Sequence, residues 1–219
     1  MVDQLLLKFP SDKAYLEEDF YVSDSNHEAY DFINSWPQWI KRTANVFGPH
    51  GCGKTHLVSI LKKKTSTLII DAKELDDNTF FKYKTKEVLI IEDFKDNIAE
   101  KLFFSLLNLA LQDNKYFLIT STKPLNSYNF KLLDLKSRVR SLLSIGVKLP
   151  SDDLISVILA KNFSDKQINI EKKHIDYIIK RIDRSYEKIS QFIITLDKYS
   201  LKKGAPFSLK LIKQVLKMI

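Results

Sequence analysis

The chain of 219 residues contains one cysteine, Cys52. That excludes an internal disulfide framework and the small stapled folds that depend on one. Glycine and proline are scarce, at five and six residues, so no long flexible linker is expected. No apolar run approaches the roughly 18 residues of a membrane span. The opening stretch MVDQLLLKFPSDK lacks the basic start and apolar core of a signal peptide. A reducing, cytoplasmic setting with no membrane partner is the expectation. His27, His50 and His174 stand apart from cysteines and paired acids, which argues against a zinc site. No Ser-His-Asp or Cys-His arrangement can be drawn, and no solenoid repeat is visible.

Positive charge is what the chain has in excess, with a formal +8. Such an excess favours phosphate-rich partners through counterion release. The lysines are scattered and form no compact block, so general solvation is the stronger reading of them.

The hydrophobic pattern alternates between strand-like and helix-like stretches. Strands are predicted at 44–47, 67–71, 87–93, 115–121 and 145–149, with helices at 55–64, 97–114 and 130–142. The run EVLIIED is continuous and ends in two acids, the pattern of a strand buried on both faces. After Pro150 only helical patterns remain. Ser151 and Ser208 are the expected caps of the first and last of these helices. Gly204 is the expected stop of the third. The predicted organisation is a tail over 1–16, an α/β domain over 17–150 and an all-helical domain over 151–219.

The segment GPHGCGKT at 48–55 fits the G-x-x-x-x-G-K-[ST] phosphate loop and lies between a strand and a helix, as that motif requires. Gly48, Pro49, Gly51, Cys52, Gly53, Lys54, Thr55 and His56 are therefore the candidate nucleotide-binding residues. Backbone N–H groups and the helix N-terminus would hold phosphate oxygens. Lys54 would reach the β- and γ-phosphates, and Thr55 would offer its hydroxyl to Mg²⁺. Glu92 is placed to hold the metal through water, and Asp93 to polarise an attacking water. Trp36 and Trp39 flank a proline and read more naturally as packing anchors than as an adenine pocket.

Four segments occur in the order and spacing of a known family. GKTHL at 53–57, IIEDF at 90–94, LITSTKP at 118–124 and LKSRV at 135–139 resemble the motifs of DnaA-type AAA+ ATPases. The resemblance covers nearly the whole chain. It implies a phosphate-loop α/β domain with a five-stranded parallel sheet and flanking helices, followed by a small helical lid. It also implies that Tyr21 and Val22, within DFYVSDSNHEAYDFI, contact the adenine of ADP or ATP. Arg138 would be an arginine finger acting in trans, with Arg140 its near competitor. Arg184 would be the lid's sensor arginine. Two departures bear on hydrolysis. Glu92 stands where Asp is usual, and Thr122 where DnaA has an acidic sensor.

The chain ends after the lid pattern, with no helix-turn-helix segment. Near its start, QLLLKF at 4–9 is similar to the peptide that docks replication proteins on the sliding clamp. Gln4 would fill a polar notch, while Leu5, Leu7 and Phe9 bury apolar area. Together these features resemble the Hda family of DnaA inactivators. That likeness implies three partners: DnaA, the β-subunit clamp of DNA polymerase III, and DNA through the clamp. It also implies association with the nucleoid, and the same contacts allow a homo-oligomer. The alternative is a stand-alone AAA+ ATPase that loads a helicase or remodels DNA. A small-molecule kinase would leave the two arginines unexplained.

Overall fold

The computed structural model describes residues 20–96, 98–165, 168, 170–203 and 208–219, with only the backbone for 201–203. The tail over 1–16, the peptide at 4–9 and Gly204 lie outside the described residues.

Five strands form one parallel sheet in the order β2-β3-β4-β1-β5. They are β1 Thr43–Phe47, β2 Thr67–Asp71, β3 Val88–Phe94, β4 Tyr116–Ser121 and β5 Leu143–Gly146. The α-helices among them are α1 His27–Asn34, α2 Lys54–Lys64, α3 Asn78–Lys84, α4 Glu100–Gln112 and α5 Leu133–Ser141. Strand β3 shows why its run is continuous rather than alternating. Val88 and Ile90 enter the core on one face of the sheet, with α1 and α2. Leu89 and Ile91 enter the core on the other face, with α4 and α5. Burial on both faces stabilises each such side chain by about 1.5–3 kcal/mol.

The last strand sits two residues earlier than the pattern at 145–149 suggested. Leu143 to Gly146 pair with Ala44 to Phe47. At Gly146 a Cβ would stand 2.9 Å from the Phe47 ring. Leu149, the end of the expected strand, is 58% exposed. The apolar run therefore continues past the point where the strand leaves the sheet.

Beyond β5 come α6 Asp152–Asp165, α7 Lys172–Ile179, α8 Tyr186–Lys203 and α9 Leu209–Leu216. Ile155, Leu159, Ile178, Phe192, Leu196 and Val215 are at the centre of a separate apolar cluster. The Ser151 and Ser208 hydroxyls accept from the amides of Leu154 and Leu211 at 3.3 and 3.4 Å, satisfying donors left open at each helix start. No helix among the described residues is long and apolar enough to cross a membrane.

Candidate functional site

The phosphate loop leaves the end of β1 and enters α2. Gly48 N–H donates to the Ser121 carbonyl at 3.1 Å, which ties the loop's start to the end of β4. Gly51 and Gly53 have φ of 78° and 95°, in the left-handed region that side chains with a Cβ avoid. Both are also covered. A Cβ on Gly51 would stand 3.1 Å from Tyr186, the first residue of α8, and one on Gly53 would stand 2.9 Å from the Phe20 ring.

Lys54 is only 8% exposed. Its ammonium donates to the carbonyls of Gly48 and Pro49 at 2.8 and 2.9 Å and lies 3.7 Å from the Cys52 sulfur. The lysine thus closes the loop on itself. Burial pushes the Cys52 thiol up despite this neighbouring charge, so the thiolate needed for redox chemistry is disfavoured.

Glu92 and Asp93 part company at the tip of β3. The ladder to β4 shifts register between Ile91 and Phe94, and Asp93 adopts φ of 57°. Asp93 N–H donates to the Thr120 hydroxyl at 3.1 Å. Its carboxylate pairs with Lys95 at 3.2 Å and is 42% exposed. Glu92 is half-buried beside the loop. Desolvation raises its pKa, a Thr55 hydrogen bond opposes the rise, and the charges of Asp93 and Asp71 add to it. A hydroxyl and a carboxylate joined in this way fit the oxygen ligands that Mg²⁺ prefers. When bound, the metal would neutralise phosphate charge. Among the described residues no three His, Cys, Asp or Glu side chains form a dedicated metal cage.

A cleft of about 660 Å³ opens beside the loop, between His50 and Gly51 on one side and Tyr186, Gln191 and Ile194 of α8 on the other. That volume suits a nucleotide-sized ligand. Tyr21 and Val22 are 47% and 38% exposed. Phe20 is the residue of this segment that touches the loop; it stacks on Tyr30 and meets His56 edge-on. Trp36 and Trp39 pack against each other and against Tyr116, as anchors rather than as pocket walls. Thr122 lies 3.5 Å from the Tyr128 hydroxyl.

The three arginines differ in their surroundings. Arg138 and Arg140, in the last turn of α5, are exposed. Neither side chain has an ion pair among the described residues. Arg184 is held by Asp152 at the start of α6, at 2.9 Å.

Asn45 escaped the sequence reading. It is fully buried in β1. It donates to the Ile119 carbonyl and the Ser121 hydroxyl and accepts from Leu125 N–H. It thereby fixes the end of β4 and the turn carrying Thr122. A polar residue between Ala44 and Val46 in a buried strand was the available signal, since such a group needs partners.

A family model described as RNA helicase matches residues 45–124, from β1 through the turn after β4. The chromosomal replication initiator protein DnaA of Campylobacter jejuni subsp. jejuni serotype O:6 is 27% identical over 231 residues, covering 93% of this chain and 52% of that protein. The chain thus spans about half the length of this curated relative. Domain III of the Thermotoga maritima replication initiation protein DnaA superposes with a TM-score of 0.77 at 20% identity, covering 95% of this chain and 98% of that one. AMPPCP-bound DnaA from Aquifex aeolicus superposes with a TM-score of 0.71 at 18% identity, covering 88% and 68%. With the sheet order, the phosphate loop and the helical region after β5, these likenesses give the chain the fold of DnaA domain III and a sequence similar to DnaA over 93% of its length.

Proposed function

We propose that this chain is a nucleotide-controlled regulator of the DnaA initiator, of the Hda type, and that its chemistry is completed in a partner's site. In this reading residues 17–150 bind ADP or ATP with Mg²⁺ through Gly48–Thr55, Glu92 and Asp93, and residues 151–219 close over the nucleotide with Arg184. Residues 4–9 dock on the DNA-loaded sliding clamp. Arg138 enters the ATP site of DnaA and promotes hydrolysis there, which inactivates the initiator. The setting is the cytoplasm, near the nucleoid.

The observation that carries this reading is Arg138, which is exposed at the end of α5 with no ion-pair partner among the described residues. A guanidinium left unpaired at the surface is available to another subunit. An arginine finger supplied in trans raises phosphoryl transfer by roughly 10³–10⁵-fold. The chain's own site favours a switch over a fast enzyme. Lys54 is turned onto loop carbonyls, Asp93 is paired with Lys95, and Thr122 replaces an acid.

The test is hydrolysis of DnaA-bound ATP with clamp loaded on DNA. The wild-type chain is expected to stimulate it. Arg138→Ala is expected to abolish stimulation while nucleotide affinity stays within about twofold. Removing residues 1–10 is expected to abolish retention on immobilised clamp. Unchanged stimulation by Arg138→Ala would remove the finger assignment.

A further inference from the structure

The lysines that look scattered in the sequence are gathered by the topology. All five strands run parallel, so all five start at one edge of the sheet, opposite the phosphate loop. The segments leading into β1, β2, β3 and β4 are 40–42, 62–66, 82–87 and 113–115. They hold nine lysines and arginines against two acids, Glu87 and Asp113. That local excess of seven compares with +8 for the whole chain. In sheet order, Lys62 enters β2, Lys84 and Lys86 enter β3, Lys115 enters β4, and Lys41 and Arg42 enter β1. Arg138 and Arg140 precede β5 and extend the row. Neighbouring strands lie about 4.8 Å apart, so the row is roughly 19 Å long.

Three of these charges are anchored on carbonyls. Lys41 donates to the Ser141 carbonyl at 2.8 Å, Lys115 to the Tyr83 carbonyl at 3.0 Å, and Arg42 to the Asn114 carbonyl. Carbonyls orient an ammonium without cancelling its charge. Ion pairs stand at the far ends of β2 and β3, Lys73–Asp71 and Lys95–Asp93, and in the helical region, Lys173–Glu171 and Arg184–Asp152. The domain is therefore polarised, with acids where Mg²⁺ would sit and an excess of cations at the opposite edge.

We infer that this edge is a sequence-independent contact for the phosphate backbone of duplex DNA. A row of cations along the ends of the strands matches a line of phosphates and offers no reader of base edges. Of the aromatic rings at this edge, Trp36 and Tyr116 are packed on each other at 4.2 Å, Tyr116 donates its hydroxyl to the Pro37 carbonyl, and Phe81 is exposed beside Lys84. One exposed ring is not the series of platforms for successive unstacked bases that single-strand binding uses. The inference does not depend on clamp docking or on the role of Arg138.

The experiment is fluorescence anisotropy of the full chain with a 30-bp duplex of arbitrary sequence, alone and against the matching single strand, from 50 to 200 mM salt. Four or five phosphate contacts predict that log K falls against log salt with a slope near −4. The triple variant Lys62→Gln, Lys84→Gln, Lys86→Gln should bind at least about tenfold more weakly, with a slope shallower by about 0.9 per lysine. A control variant, Lys180→Gln, Lys210→Gln, Lys217→Gln, removes the same charge from the helical region and should stay within twofold of wild type. Circular dichroism checks that both variants fold. Four results would overturn the inference: no duplex binding at 50 mM salt, equal losses in the two variants, tighter binding to the single strand, or retention only on anionic lipid vesicles.

Discussion

Tyr186, at the start of α8, covers Gly51 of the phosphate loop so closely that a Cβ on the glycine would stand 3.1 Å from the tyrosine's own Cβ. The helical region and the loop are therefore in direct contact before any nucleotide enters. A ligand that moves the loop must also move α8, or be shaped by it. Gly51→Ala forces a side chain into φ of 78°, which costs about 1–2 kcal/mol, and crowds Tyr186 as well. Urea unfolding should show a loss of at least that size. By contrast, Tyr186→Phe should leave stability unchanged or slightly raised. The Tyr186 hydroxyl is buried and makes no hydrogen bond of good geometry. Burial raises its pKa, although the Ser25 side chain is near enough to oppose the rise.

In the proposed function Lys54 would serve two states. Its ammonium now holds the carbonyls of Gly48 and Pro49, and it must release them to meet a phosphate. Lys54→Ala should cost about 1.5–3 kcal/mol of stability without nucleotide, the range for hydrogen bonds to a charged group. Its effect on ADP is the loss in the complex minus this loss in the free protein, so a phosphate contact stronger than the two carbonyl contacts by about 1.4 kcal/mol weakens ADP about tenfold. Calorimetry with ADP reads the second effect, and a thermal shift that no longer responds to ADP confirms it.

Glu92 makes stability depend on pH in a defined direction. Its folded-state pKa is raised, mainly by desolvation, above the unfolded value near 4.3. The folded state thus binds the proton more tightly. The stability this contributes is complete below the unfolded pKa and is lost as pH rises through the raised folded value. Glu92→Gln should remove that dependence. The stability difference between the variant and wild type, measured by urea unfolding, should grow in the variant's favour from pH 4 to 7. A flat difference would show that Glu92 titrates normally.

Arg184 is paired with Asp152 and, in the proposed function, would leave it to meet a nucleotide. Both members of the ion pair are largely exposed, at 61% and 52%, so breaking it should cost no more than about 1 kcal/mol. Arg184→Ala should nevertheless weaken ADP binding about tenfold if the guanidinium serves a phosphate, an effect near 1.4 kcal/mol. Asp152→Ala removes the competitor and should leave binding unchanged or tighter. Equal weakening by both substitutions would assign the pair to helix packing alone.

Much of this molecule was legible in its residues, because the signals were local. The phosphate loop needs glycines where φ is positive, a lysine and a hydroxyl within eight residues. Strand β3 must be apolar throughout when both faces are covered, and Ser151 and Ser208 announce their helices by capping them. What the sequence could not settle depends on residues far apart along the chain. The paired acids Glu92 and Asp93 look equivalent as text, yet the register shift after Ile91 sends one toward Thr55 and the other to Lys95. Asn45 gains its purpose only from Ile119, Ser121 and Leu125. The run at 145–149 continues past its strand because pairing with β1, rather than apolar content, sets where the strand ends. The lysines become one charged edge only because five parallel strands begin there. Local backbone chemistry is written in neighbouring residues, whereas charge fields and side-chain partners are properties of the assembled sheet.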